Sequence, residues 1–410
     1  MLKLEPAQQP RRTGRQRFGL ALAGGGPLGA FYEIGALHAV DEAFDGFDLV
    51  DLDMYVGVSS GAMVAAGLVN GYDTADIGVI FVHNASLEFP LTPGLFVRPA
   101  LREYLSRLAR LPRLTMDLLQ EYLSDPGKGW TEALIPLGRA IPNGLFDNRP
   151  MERFLAELFR GYGCTNDFRR LHRKLFIVAT DIDSGNSVRF GEPGYDHVPI
   201  SKAIQASTAL PGLYPPVVID GHTYVDGALL RTMNASVLLE TGVDFLVCMN
   251  PIVPFDAIAT QRRSRSDGRL DLASGGLPTV LSQTFRSMIQ SRMMVGMATY
   301  RARYPETDQL LFEPDRTDAE MFFKNVFSYT DRKRLAERAY QRTRRDLLRR
   351  ADELEPMLER HGIGLRRDVL SDRSRSFARA VNERKRRQQP LTGSLHQTLD
   401  RLERTLARLA

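Results

Sequence analysis

Residues 54–69 read Met54-Tyr55-Val56-Gly57-Val58-Ser59-Ser60-Gly61-Ala62-Met63-Val64-Ala65-Ala66-Gly67-Leu68-Val69. The first five form a short apolar run of the kind that makes a buried strand, and the last ten are small and apolar, as in a closely packed helix. At the junction, Gly57, Ser59 and Gly61 complete a G-x-S-x-G pattern. In such a pattern the serine occupies a sharp strand-to-helix turn, and the flanking glycines remove Cβ atoms that would collide there. Ser59 is therefore presented at a strand end, beside the positive end of a helix. Ser60 is adjacent, but only Ser59 has a glycine two places away on each side. In a chain with 34 glycines a five-residue pattern is weak by itself, so its surroundings have to decide.

Upstream, Phe18-Gly19-Leu20-Ala21-Leu22-Ala23 reads as a first strand that runs into Gly24-Gly25-Gly26. Pro27 then opens a helix predicted over 28–43, with Phe31, Ile34, Leu37 and Val40 at helical spacing. Glycines at this junction let backbone N–H groups face outward at a helix N-terminus, a site for a phosphate, a carboxylate or a developing oxyanion. Gly24, Gly26 and Gly29 also satisfy G-x-G-x-x-G, with Asp48, Asp51 or Asp53 about 20 residues on as ribose ligands. A dinucleotide site needs that acid at the end of the second strand. Here the acids precede the strand and Ser59 ends it, which favours the oxyanion reading and leaves a dinucleotide-binding oxidoreductase as the alternative.

A serine nucleophile needs a base, usually histidine. The seven histidines are His38, His83, His172, His197, His222, His361 and His396. His38 falls on the first helix, His172 in a basic stretch, and His361 and His396 in an arginine-rich tail; each reads as a surface or structural residue. His222 neighbours Asp226, but Gly221-His222-Thr223 reads as a turn between strands. A carboxylate is the other option. Tyr224-Val225-Asp226-Gly227-Ala228 places an acid at the end of a short apolar strand, where a side chain is presented at a sheet rim. Taken alone, such an aspartate is more often a turn carboxylate than a base. Upstream stand Leu175-Phe176-Ile177-Val178-Ala179-Thr180-Asp181, a buried strand leading into the turn Asp183-Ser184-Gly185-Asn186, and the proline-stiffened run Ala206-Ser207-Thr208-Ala209-Leu210-Pro211-Gly212-Leu213-Tyr214-Pro215-Pro216-Val217.

The ordered set GGGPLG, GVSSG, LFIVATDIDSG, ASTALPGLYPPV and VDGA, over about residues 18–250, resembles the bacterial patatin-like phospholipase family. The resemblance implies a three-layer α/β/α sandwich with a mainly parallel central sheet and, in this chain, an added helical C-terminal region. It implies a Ser-Asp dyad without histidine, carried here by Ser59 and Asp226. It assigns the oxyanion hole to the backbone of Gly24, Gly25 and Gly26, and calls for no cofactor and no metal. The activity implied is lipid acyl hydrolysis of phospholipase A or lysophospholipase type, with a catalytically silent lipid-binding module as a further alternative. Two positions depart from the family pattern. Leu28 stands where an arginine is frequent, which removes a positive charge near the anion, and Ala228 follows Asp226-Gly227 where glycine is common. A base without histidine has to keep its basicity, so partial desolvation of Asp226 is expected.

Length and composition agree with one catalytic domain plus an appendage. At 410 residues and 43% hydrophobic, the chain can bury a large core. The expected organisation is a flexible basic arm over 1–17, a catalytic domain over 18–327 with a helical lid or insertion at about 71–143, and a helical, arginine-rich region over 328–410. Within the insertion, Leu101, Leu105 and Leu108 recur at helical spacing beside Arg102, Arg107 and Arg110, which fits a lid over an acyl pocket or, more simply, a helical hairpin packed on the core. Farther on, Leu335, Ala339, Leu347, Leu354 and Leu358 predict one long helix up to His361. Leu395, Leu399, Leu402, Leu406 and Leu409 form a short heptad pattern, read as docking on the body of the protein or as a homodimer contact through the C-terminal helix. Met288, Met293, Met294 and Met297 read as a core-packing helix face, and Arg262 to Ser266 as a mobile loop.

Cys164 and Cys248 offer no disulfide framework, which fits a reducing, cytoplasmic location. No run of about 18 apolar residues exists to span a membrane, and residues 1–17 lack the apolar stretch of a secretory signal. Residues 361–410 carry 12 Lys or Arg against 5 Asp or Glu, a net of +7, which leaves −2 for residues 1–360. The run Arg384-Lys385-Arg386-Arg387 reads first as a solvated charge cluster, next as a peripheral contact with an anionic membrane surface, and last as a nucleic-acid contact.

Overall fold

The computed structural model describes residues 1–9, 15–86, 89–109, 111–124, 141–161, 163–264, 271–318 and 331–388. Within them, β1 (Leu2–Glu5), β2 (Phe18–Leu22), β4 (Met54–Val58), β5 (Lys174–Asp181), β6 (Asn186–Phe190), β7 (Val217–Ile219), β8 (His222–Asp226), β9 (Phe245–Met249) and β10 (Asp308–Phe312) form one sheet. Its order is β1-β10-β9-β2-β4-β5-β8-β7, with β6 also on β5. The two-residue strands β3 (Phe44–Asp45) and β11 (Gly364–Leu365) pair separately. The central strands β10, β9, β2, β4 and β5 are parallel, and the antiparallel strands lie at the flanks.

Strand alternation makes this a three-layer structure. On β2, Leu20 and Leu22 join one apolar cluster and Ala21 the other; on β5, Leu175, Ile177 and Ala179 join the first, Phe176 and Val178 the second. The first cluster is roofed by α1 (Gly26–Ala43), α2 (Ser60–Val69) and the helix Arg332–Arg349. The second is covered by the helices Ser236–Glu240 and Gly276–Arg303. The strand Met54–Val58 and the helix Ser60–Val69 occupy the residues expected of them, while α1 starts two residues early, at Gly26. Helix Arg332–Arg349 lies so close to α1 that a Cβ on Gly35 would come within 2.1 Å of the Ala336 carbonyl oxygen.

Several local expectations change in three dimensions. The first residues are not an arm: Leu2–Glu5 adds to the sheet antiparallel to β10, with Leu2 buried. The arginines of that segment hid a four-residue strand pattern. The long helix expected up to His361 is two helices, Arg332–Arg349 and Ala351–Glu359, because Arg350 leaves helical geometry and its guanidinium donates to the Leu2 carbonyl. Arg262 to Ser264 lie in a helix, Ala257–Ser264, while Arg265 and Ser266 of the expected loop lie outside the described residues. Met293 and Met297 are buried as expected, but Met288 and Met294 are exposed. Arg384 pairs with Asp41 and Asp73, and Lys385 with Asp76, so these two charges hold the helix Phe377–Gln388 against the start of α3 (Thr74–Ile77) and the end of α1. The heptad residues Leu395 to Leu409 and Arg110 lie outside the described residues.

Within the insertion, the leucine spacing does yield a helix, Leu101–Leu108, but its leucines face solvent: Leu101, Leu105 and Leu108 are 63%, 65% and 58% exposed. A second helix, Leu111–Ser124, follows it and buries Leu114, and residues 125–140 of the insertion lie outside the described residues.

Candidate active site

β5 is the rail on which the site is assembled. Along one edge it pairs with β4 as far as Val178, opposite Val58. The next residue on that edge, Ala179, pairs with Asp226 of β8 instead, because β6 holds the opposite edge from Ile177 to Asp181. β4 and β8 thus meet end to end along a single edge of β5. Ser59, the residue after β4, and Asp226, the last of β8, are forced together, and Ser59 Oγ donates to Asp226 Oδ2 at 2.6 Å. Both side chains are buried.

Ser59 stands at φ 50°, ψ −123°, a left-handed conformation that a side chain rarely adopts and that marks a strained turn. Its neighbours make the turn possible: a Cβ at Gly57 would lie 2.5 Å from Ala62 Cα, and one at Gly61 would lie 2.6 Å from the Leu22 carbonyl oxygen. The turn is pinned from outside. Ser59 N–H donates to Ser207 Oγ at 2.8 Å, and that hydroxyl donates in turn to the Val178 carbonyl at 2.6 Å. Ser207 is fully buried at the end of the helix Ile200–Ser207. Sequence reading places Ser207 in a loop and gives it no role, since nothing local shows which amide it serves 148 residues away.

Asp226 has three further anchors. Its Oδ1 accepts from Ala228 N–H at 2.9 Å, its carbonyl accepts from Thr180 Oγ1 at 3.1 Å, and its N–H donates to the Ala209 carbonyl at 3.0 Å. Burial pushes its carboxyl up to about 6, against the opposing pull of the Ser59 and Ala228 hydrogen bonds. A carboxylate of that basicity is ionised at neutral pH and able to accept a proton from a hydroxyl 2.6 Å away.

The glycine run lies against the nucleophile. A Cβ on Gly24 would sit 2.8 Å from Ser59 Cβ, so only glycine brings this backbone so close. Of the three expected amides, that of Gly25 is already committed: its N–H donates to Ser60 Oγ at 2.9 Å. Among the described residues, the N–H groups of Gly24 and Gly26 have no such partner, and Gly26 is the first residue of α1, where the helix amides point outward. Ser60, set aside as a nucleophile, thus shapes the loop. Leu28 is 3% exposed and packs in the first core cluster, so this position after the glycine run is apolar.

The other candidates fall elsewhere. Asp53 precedes β4 and accepts from Phe18 N–H, and Asp51 pairs with Arg173. These acids sit at the N-terminal ends of the strands, across the sheet from the glycine run, which removes the ribose ligand that a dinucleotide site requires. His38 bonds Thr74, His197 bonds Asp220, His222 bonds Asp181 and His361 bonds Asp308. No histidine among the described residues bonds Ser59 or Asp226. Asp181, Asp183 and His222 bring ligand atoms within 4.8 Å of one another, but the Asp181 carboxylate already accepts from Asp183 N–H, Ser184 N–H and Ser184 Oγ, the bonds that close the β5–β6 turn.

Comparison with known proteins adds to this geometry. A family model, patatin-like phospholipase, matches residues 20–239, more than half of the chain. An uncharacterized NTE family protein of Mycobacterium tuberculosis is 26% identical over 242 residues, 58% of this chain and 31% of that protein. An uncharacterized protein of Acanthamoeba polyphaga mimivirus is 24% identical over 221 residues, 54% of this chain and 60% of the other. The chain therefore spans about a third of the mycobacterial relative and under two thirds of the viral one. Among solved structures, VipD from Legionella pneumophila aligns at 18% identity with a TM-score of 0.32, covering 64% of this chain and 55% of its own.

Proposed function

The chain belongs to the patatin-like phospholipase family, and we propose that it is a serine-dependent lipid acyl hydrolase working through a Ser59-Asp226 dyad. The observation that carries this reading is the 2.6 Å hydrogen bond from a strained, buried serine to a buried aspartate of raised basicity. An ester carbonyl of a phospholipid or related lipid is attacked by Ser59 Oγ as its proton passes to Asp226. The negative charge that develops on the carbonyl oxygen is taken by the N–H groups of Gly24 and Gly26, while Gly25, held by Ser60, keeps the loop in shape. The tetrahedral intermediate collapses, the alcohol leaves with the proton from Asp226, and an acyl-Ser59 ester remains. Asp226 then deprotonates a water, which attacks the acyl carbonyl; the fatty acid departs and Ser59 recovers its proton.

Labelling with a fluorophosphonate probe and hydrolysis of a p-nitrophenyl acyl ester test the reading together. The probe is expected on Ser59 alone, and the Ser59→Ala and Asp226→Asn proteins are expected to be folded and inactive. Folded variants that turn over ester at the wild-type rate would rule the dyad out.

A further inference from the structure

Apolar exposure in this protein is concentrated around the catalytic loops. Among the described residues, thirteen of the twenty large hydrophobic side chains left exposed fall on two segments, residues 101–145 and the helix Gly276–Arg303. That is far from the scattered single residues normal on a soluble surface, and clustering of this kind marks an interaction site.

Both segments are built onto the loops that carry the dyad. The first rests on the run after Ser207: Leu145 N–H donates to the Gly212 carbonyl, Phe146 N–H to that of Leu213, and Tyr104 Oη to that of Leu145. The same run accepts the Asp226 N–H at Ala209. The second rests on the run after Asp226. Thr232 Oγ1 donates to the Ile289 carbonyl, Arg292 donates to the Leu229 carbonyl, and Met293 and Met297 pack in one cluster with Ala228. The helix Gly276–Arg303 is thus buried along one side against the catalytic strands. On the opposite side, Leu277, Leu281, Met288 and Val295 are spaced at four, seven and seven residues, one stripe of an α-helix, and are 47% to 69% exposed.

The charge on this helix names the partner. Its 28 residues contain Arg286, Arg292, Arg301 and Arg303 and no aspartate or glutamate; Arg301 pairs with Glu5 and Arg286 is half-buried, while Arg292 is exposed beside the apolar stripe and Arg303 at the helix end. An apolar face with arginine and no acid is the composition of a helix that lies in the plane of an anionic lipid surface. We infer that the outer face of the helix Gly276–Arg303, with Leu101, Leu105 and Leu108 of the insertion, docks the protein on an anionic lipid bilayer through segments anchored on the loops that carry Ser59 and Asp226. The inference rests on the lipid-hydrolase reading for its purpose, since a bilayer is where the ester is found, but its surface chemistry is independent of the dyad.

The test uses the full chain and vesicles of phosphatidylcholine with or without phosphatidylglycerol. The wild type and Ser59→Ala are expected to co-sediment with the anionic vesicles and more weakly with phosphatidylcholine alone. The Leu281→Glu/Met288→Glu protein is expected to bind about tenfold less or weaker still, while its hydrolysis of a water-soluble p-nitrophenyl ester stays at the wild-type rate. Unchanged hydrolysis shows that the double variant is folded; Val295→Glu on the same stripe serves in its place if it is not. Equal sedimentation of variant and wild type, or no sedimentation of the wild type, overturns the docking surface. So does a wild-type dimer that the double substitution converts to monomer, which would give the face to a second copy of the chain. Vesicle binding by a wild type that hydrolyses no ester would sink the hydrolase reading and leave the surface standing.

Discussion

Two buried aspartates stand at opposite ends of the same sheet and have opposite electrostatic fates. Asp308 opens β10 at the edge where the parallel strands begin. There Arg360 reaches it at 2.6 Å, His361 at 2.8 Å and the Ala7 N–H at 2.7 Å. Burial alone would raise its carboxyl, but these partners outweigh it and hold the group below the usual carboxylate range. Asp226 lies at the edge where the parallel strands end. It is met by a hydroxyl and one backbone amide rather than a cation, and burial pushes it up to about 6. At the first edge a charge is neutralised to hold the fold; at the second, a charge is left costly so that it can act as a base.

The largest way to break this contrast is to remove the chemistry at one edge only. Ser59→Ala and Asp226→Asn are expected to lower kcat/KM on a p-nitrophenyl ester about a thousandfold or more, whereas Asp308→Asn leaves the rate per folded molecule unchanged. A comparable loss on Asp308→Asn would mean that the two edges are not separable. Next in size is the stability of the structural edge. At pH 7, Asp308→Asn should cost roughly 2–4 kcal/mol in a urea melt, because Arg360 and His361 lose their buried partner. The folded carboxyl lies below its unfolded value, so its contribution is present above about pH 4 and fades as the pH falls through the folded value.

The catalytic edge should show the reverse sign. Asp226 lies above its unfolded value when folded, so ionising it costs stability once the pH exceeds about 4, and the full cost is present above about 6. Asp226→Asn is therefore expected to be more stable than wild type by about 1–3 kcal/mol at pH 8, with the advantage shrinking between pH 6 and 4. A variant less stable than wild type at pH 8 would show that the Ser59 hydrogen bond outweighs desolvation. The same group sets a smaller kinetic effect: kcat/KM should fall about tenfold per unit below pH 6 and level off above it. Smallest of all, Leu105→Ser at the catalytic edge should move stability by less than about 0.5 kcal/mol, since that leucine is 65% exposed. A large loss there would mean that the helix is covered in solution.

Much of the site was legible because its parts are local patterns. The strand and helix around Ser59 were readable from apolar spacing and glycine sterics, and the failure of every histidine to find a suitable setting pointed to a carboxylate. Asp226 as a bare residue was ambiguous; the ordered set of motifs, not its own neighbours, singled it out. Ser207 and Ser60 were missed as supports because a hydroxyl that pins a backbone amide has no periodicity and no fixed spacing to its partner. The N-terminal strand was missed because four residues carry little pattern, and only β10, some 300 residues later, gives them a partner. The leucine face of the insertion shows a different limit. Leu101, Leu105 and Leu108 share one face by spacing, as do Leu335 and Ala339 on the helix Arg332–Arg349, yet the first set is exposed and the second buried. Periodicity defines a face and is silent on what covers it.

The sequence by itself therefore determined which residues are capable of the chemistry: an elbow serine, an acid at a strand end, glycines thin enough for close approach, and an alternating pattern that layers helices on both sides of a sheet. Only the tertiary structure decided that β8 takes over the edge of β5 where β4 stops, which sets Ser59 and Asp226 2.6 Å apart across 167 residues of chain. It also decided that Gly25 gives its amide to Ser60 and that an apolar face on each of two helices stays exposed. The physical reason is common to all three. Strand succession, amide partners and the covering of a face are set by contacts between distant segments, whereas propensity and periodicity act within a few turns or strand residues.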